Sequence, residues 1–409
     1  MNKKKIYDFA KKYLNSNNVR MFLLFIPLLI VIINQIKAKT FVIKDFYDSS
    51  ILVSFIIVFM CETIANVILN VIEKKTEDEV KLGRDYKSLV NKYCVEKDKM
   101  VYWEDGGNKV YIPEIVLYES DIYSDNTRIE VGRDEEHRKY QLPKQLADNS
   151  EKIFKAHSHS TTYNQINIRL NNLIVNGNSV KIVYAMTTYY DSLLTNRAMD
   201  YVFKSGRTVR EIYEPGPYLN ELTDSKLSNH LGFNGFVELD DGNIIFVKRG
   251  DKVSIAKGLW QQSIGASLKT KYCVDSSHKL SIQGIENAVC NEIKDELKID
   301  SISCKPVIFS FYRDLVEGGK PQFLFYTKTD KYRRDSFLKH FNEVSAKKEE
   351  KKENKNKLIS DGNEFVFYTL DELRKCRFDV DKMVDRNGKI YNMMPSSVGS
   401  IILLLKHIK

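Results

Sequence analysis

The stretch NEIKDELKI, residues 291–299, decides how this chain is read, because it sets Glu292, Asp295 and Glu296 at positions i, i+3 and i+4. In a helix that spacing stacks the three acids on one face. Such a cluster suits a hard divalent cation, since Mg2+ takes oxygen ligands and keeps waters that a bound phosphate can displace. Just upstream, Ile285, Val289, Ile293 and Leu297 recur every four residues, so one stripe would hold the helix against a sheet while the acids project from another. A solvated amphipathic helix explains the nine residues equally well. The flanking sequence has to choose.

Before the helix, FNGFVELDDGNIIFVKRG (residues 233–250) has two apolar runs joined by Asp240, Asp241 and Gly242, the chemistry of a hairpin turn. LWQQSIGASL (259–268) follows. After the helix come a strand pair around 305–312 and 321–328, then FVFYTLDEL (365–373), and an apolar helix after Pro395 that is too short to span a membrane. This order resembles the Nudix hydrolases, whose helix carries G-x5-E-x7-R-E-U-x-E-E-x-G-U, with U aliphatic. The resemblance covers 227–409. It implies a sheet-helix sandwich in which Glu292, Asp295 and Glu296 take the metal-binding acid positions, with Mg2+ as the cofactor. The motif departs from the pattern at Gln283 for the upstream glutamate, Asn291 for the arginine and Lys298 for the glycine, while the family's Gly-Gly corresponds to Gly265 and Ala266. A phosphoanhydride hydrolase needs a cation cluster and a positioned base, so these departures argue against turnover.

Phosphates call for cations and bases for flat surfaces. Lys248, Arg249, Lys257, Trp260, Gln262 and Lys269, on the strands and loops that face substrate in a Nudix fold, are the candidate ligand-binding residues. Taken singly, Trp260 also reads as core and each lysine as solvated surface. Six cysteines lie far apart with no CxxC pair, so neither a zinc site nor a disulfide framework is suggested. A net charge of +9 over 409 residues is compatible with an acidic partner such as a nucleotide or anionic lipid.

The N-terminal part is apolar in two blocks, residues 19–36 and 51–72, behind a basic leader (1–18). Both read as membrane spans, and the leader's lysines place both termini in the cytoplasm of an inner-membrane protein. Glu62, Asn66 and Asn70 recur every four residues of the second block, a polar stripe suited to a helix seam or a hydrated, gating path. Residues 73–100 form a charged connector. Residues 101–226 read as an α+β region of unassigned role, with strands at KVYIPEIVLY and SVKIVYAMTTYY, a polar helical stretch over 163–175, and His157 and His159 on a shared strand face. Residues 346–363 are a charged insert. The fold class is thus an α+β cytosolic region ending in a Nudix-like sheet-helix sandwich (227–409), preceded by a two-helix transmembrane hairpin.

Two spans joined to a Nudix-related domain resemble the membrane effectors of bacterial CBASS antiphage systems. The resemblance implies a cyclic oligonucleotide second messenger as ligand, a homo-oligomer that disrupts the bilayer, and no direct binding of DNA or RNA. A membrane-tethered Nudix hydrolase of a nucleoside diphosphate derivative is the alternative, and an anchored, non-catalytic scaffold a third reading.

Overall fold

Strands with apolar residues on both faces build the centre of the molecule. The computed structural model describes residues 82–408, apart from 124–126, 158–163, 251–255, 278, 301, 303–304, 351–363 and the side chains of 347–350. In chain order the strands are β1 (Met100–Asp105), β2 (Asn108–Glu119), β3 (Arg128–Arg133), β4 (Ile166–Asn176), β5 (Ser179–Thr188), β6 (Gly232–Glu238), β7 (Ile244–Lys248) and β8 (Trp260–Gln261). They continue with β9 (Ile264–Ser267), β10 (Val307–Asp314), β11 (Lys320–Lys328), β12 (Glu364–Tyr368), β13 (Arg377–Asp379), β14 (Lys382–Val384) and β15 (Ile390–Asn392). Three longer helices are α1 (Ile282–Leu297), α2 (Arg334–Glu350) and α3 (Pro395–His407).

The main sheet has the order β1-β2-β10-β11-β6-β7-β12, with β8 beside β7 and β9 beside β6. Its β6–β11 pair is parallel; the other neighbours are antiparallel. Because side chains alternate across a strand, Phe233, Phe311, Phe323 and Phe325 meet α1 through Ile285, Val289 and Ile293 on one face. Phe236, Phe246, Phe309 and Leu324 meet α3 through Val398, Ile401 and Leu404 on the other. Each such side chain stabilises the fold by about 1.5–3 kcal/mol on full burial. Gly235 is required where it stands, since a Cβ there would lie 2.0 Å from the Phe325 ring.

The hairpin turn forms, with Gly242 at φ 76° and the Leu239 amide donating to Asn243 at 2.8 Å. The 163–175 stretch does not form the expected helix. It contains β4, whose Ile168, Leu170 and partners on β5 supply core that a polar-looking sequence hides. A boundary at 226 would cut one sheet, because β2 pairs with β10 from nearly two hundred residues away. Small sheets β3-β5-β4 and β13-β14-β15 complete the strands. At one place the first of them is stitched to the main sheet: Ile168 donates to Leu268 (3.0 Å), Leu231 to Ile168 (2.7 Å) and Leu268 to Leu231 (2.9 Å).

The transmembrane hairpin and the inner-membrane location are corrected. Among the described residues no helix is long and apolar enough to cross a membrane. Helix α1 carries charge along one side, α2 is rich in lysine and glutamate, and α3 has only 13 residues, whereas a span needs about 20. The blocks 19–36 and 51–72, with Glu62, Asn66 and Asn70, lie outside the described residues. The paired histidines do not share a strand: His157 follows the helix Ser150–Ala156, buried, with its ring nitrogen at 3.0 Å from the Leu193 carbonyl, and His159 lies outside the described residues.

Candidate functional site

Helix α1 starts where Ser281 accepts a hydrogen bond from the Gly284 amide at 3.0 Å and ends where Lys298 turns left-handed at φ 61°. A Cβ on Gly284 would fall 2.0 Å from the Cys273 carbonyl, so the glycine lets the helix press onto the short helix Thr270–Cys273. That contact brings the loop after β9 onto the acidic face.

The three acids then part company. Glu292 turns inward, only 3% exposed, and forms an ion pair with the Lys269 ammonium. Burial pushes its carboxyl up, while Lys269 pulls the other way. Asp295 is exposed and accepts a hydrogen bond from the Tyr272 hydroxyl at 3.0 Å. Lys271 stands 4.2 Å from the centre of the same tyrosine ring. Glu296 is half-buried. Among the described residues no group of three or more histidine, cysteine, aspartate or glutamate side chains could hold a metal ion. The donor set does not fit a resident Mg2+: one carboxylate is taken by a lysine and another by a tyrosine.

The predicted ligand-binding residues divide among three places. Lys248 pairs with Glu364 on the neighbouring strand (2.9 and 3.1 Å), and Trp260 packs edge-on against Tyr391 (5.6 Å between ring centres). Lys257 is exposed in the turn before β8. Arg249, Gln262 and Lys269 border the polar ground beside β9. Arg249 donates to Gln261 at 2.5 Å, and Gln262, 2% exposed, keeps an oxygen with no hydrogen-bond partner among the described residues. Alongside, Asn234 donates to the Tyr312 hydroxyl (2.5 Å) and to Gln322 (2.9 Å), and a Cβ on Gly265 would come within 3.2 Å of the Asn234 and Gln261 side-chain oxygens.

Sequence reasoning missed a second group. Glu114 and Asp314 stand opposite each other on β2 and β10, buried, and burial pushes both carboxyls up, Asp314 to about 7. Beyond Asp314 lie Lys320 and Glu317 at 3.3 Å, with Arg197 at 3.4 Å from the same glutamate. Burial works against the Glu317 charge, but Lys320 and Arg197 outweigh it and hold this carboxyl below its ordinary range. Glu114 had a legible signal, an acid among the apolar-face positions of YIPEIVLY; the others are assembled only by long-range pairing.

No family model matches the chain, and no curated protein does. Among solved structures it is similar to the MutT protein from Methanosarcina mazei Go1, at 12% identity over 43% of this chain and 92% of that one, with a TM-score of 0.23. It is also similar to DR0079 from Deinococcus radiodurans, at 15% identity over 43% of this chain and 85% of that one, with a TM-score of 0.21. Likeness at such TM-scores carries no argument. The chain's own topology, a mixed sheet with an acid-bearing helix on one face, agrees with the Nudix-related fold that its sequence resembles.

Proposed function

We propose that this chain is a nucleotide receptor on a Nudix-related fold, which binds a cyclic oligonucleotide and does not hydrolyse it. One observation carries the reading: the Lys269 ammonium sits on Glu292, where a hydrolase of this family would need a divalent cation. A fixed monocation can neutralise a carboxylate or a phosphate, but it brings no metal-bound water to attack a phosphorus atom. The resemblance narrows the ligand to a cyclic oligonucleotide, whose phosphodiesters offer anions without a terminal anhydride. Arg249, Gln262 and Lys269 lie where such a ligand would meet polar and charged groups. Ligand-driven self-association, and a receptor's place in cyclase-based antiphage signalling, belong to the same proposal.

The test measures equilibrium binding of a panel of cyclic di- and trinucleotides to the full chain, with chromatography of each mixture for products in Mg2+ and Mn2+. Binding at micromolar concentration with intact ligand is expected. Steady Mg2+-dependent hydrolysis abolished by Glu296→Gln would overturn the reading in favour of a hydrolase of nucleoside diphosphate derivatives.

A further inference from the structure

Where β4 meets the start of β6, the protein interior holds more positive charge and more unsatisfied polar atoms than it can settle by itself. Asn167 and Arg169, two residues apart and hence on one face of β4, face Lys269 and His230 across single bridges. Asn167 and His230 are both 0% exposed. Neither amide atom of Asn167 and neither ring nitrogen of His230 has a hydrogen-bond partner among the described residues. Burial, with Lys320 and Arg197 near by, holds the imidazole well below its ordinary range, so it is neutral and offers one N–H.

The charges around them do not balance. Arg169 spends its guanidinium on neutral acceptors, Asn171 and the carbonyls of Ser225 (3.0 Å) and Leu227 (3.3 Å). Arg197 and Lys320, with side chains 11% and 6% exposed, share the single carboxylate of Glu317, itself 4% exposed. Arg197 and Lys320 thus share one acid that is held ionised, because burial pushes the neighbouring Asp314 carboxyl up to about 7, while Arg169 has the half-buried Asp134 near by. An unmade hydrogen bond on a buried group costs about 1–3 kcal/mol, and an uncompensated buried charge costs more. Water could satisfy the hydrogen bonds but not the charge; an anion satisfies both.

We propose that this junction is a phosphate-binding site, in which Asn167 and His230 donate hydrogen bonds to phosphate oxygens that Lys320, Arg197 and Arg169 neutralise. The proposal deepens the nucleotide-receptor reading, on which it rests only for the identity of the phosphate's bearer. Arg197 lies 5.3 Å from the centre of the half-buried Tyr189 ring and donates to its hydroxyl at 2.9 Å, which fixes the guanidinium at the site. Because the site joins β4 to the main sheet, its occupant would be held by both sheets at once.

The experiment titrates the full chain with inorganic phosphate, against chloride at equal ionic strength, and separately with a cyclic dinucleotide, following thermal stability and heat of binding. Wild type should gain stability saturably with phosphate. His230→Phe and Asn167→Leu should weaken phosphate binding at least tenfold and, by removing orphaned groups, leave stability without phosphate unchanged or higher. A merely structural polar cluster would instead lose stability in both variants. As a check needing no variant, the imidazole nitrogen resonances of His230 should move when phosphate is added to wild type. No saturable phosphate effect, unmoved resonances or unchanged affinity in both variants overturns the site, and so does a junction that holds buried water alone. Cyclic dinucleotide binding without a phosphate effect removes this site and leaves the receptor reading standing. A phosphate effect without nucleotide binding upholds the site and removes that reading.

Discussion

Lys269 shows how one side chain can retire a metal site. A lysine on a buried glutamate needs no second and third ligand; Asp295 stands exposed and Glu296 half-buried. With side chains 17% and 4% exposed, Lys269 and Glu292 form a largely desolvated pair. Breaking a buried pair from one side costs about 3–5 kcal/mol, and the partial exposure of Lys269 puts this one near the lower end. Lys269→Met should therefore lower unfolding free energy in urea by about 3 kcal/mol, and adding Glu292→Leu should recover most of it. A single-variant loss below about 0.5 kcal/mol, the range of ordinary surface changes, would mean that the pair contributes nothing. Asp314 makes a pH prediction. Its carboxyl is raised by burial first, and by Glu317 next, from 3.8 to about 7. The folded state therefore holds a proton that the unfolded chain gives up: the contribution to stability is complete below about pH 4 and is lost as pH rises through about 7. Asp314→Asn keeps the oxygen that accepts from Val316 at 2.8 Å. It should flatten the decline in stability between pH 4 and 7, measured by denaturant midpoints, leaving the slope due to Glu114, whose carboxyl burial also pushes up.

At the scale of elements, helix α3 is moored by its last turn. His407 lies 3.0 Å from Glu119 and Lys406 2.5 Å from it, and these partners, His407 above all, hold the Glu119 carboxyl at about 2. For a depressed acid the stabilisation is present above the unfolded value and is lost as pH falls, here from about 4.5 to about 2. Glu119→Gln should remove that part of the acid sensitivity of α3, read as helical circular dichroism during acid titration. Packing makes a second demand. Gly235→Ala would drive a methyl group into the Phe325 ring and should cost about 1–3 kcal/mol, partly restored by Phe325→Leu, which clears the space. Elements of this kind were unequally legible. Helix α1, the β6–β7 hairpin, the β10–β11 pair and α3 announce themselves through local period and turn chemistry. Strand β4 carries the alternation of a strand, Ile166, Ile168 and Leu170 against Asn167, Arg169 and Asn171, which the helical reading of 163–175 passes over; what no pattern shows is that its polar set is buried rather than solvated. The acids of α1 were visible as a row, but the lysine that closes on Glu292 comes from a different element, 23 residues earlier. No spacing rule reaches that far.

For the whole molecule, the absence of a fitting donor set among the described residues predicts that millimolar Mg2+ leaves the melting temperature of the full chain unchanged and that no metal-dependent product accumulates from nucleoside diphosphate derivatives. Stabilisation by Mg2+ in proportion to its concentration would restore a resident cation. The stitch of Ile168, Leu231 and Leu268 between two sheets has a different consequence, one of kinetics. Those amides form a relay in which each bond's donor or acceptor residue serves the next, so none can open without loosening its neighbours. In native-state hydrogen exchange they should therefore fall with the slowest amides of β6 and β11, and the small sheet should have no separate opening of its own. The two sheets would then exchange as one foldon, and a single early proteolytic cut between β5 and β6 would leave both halves still clasped.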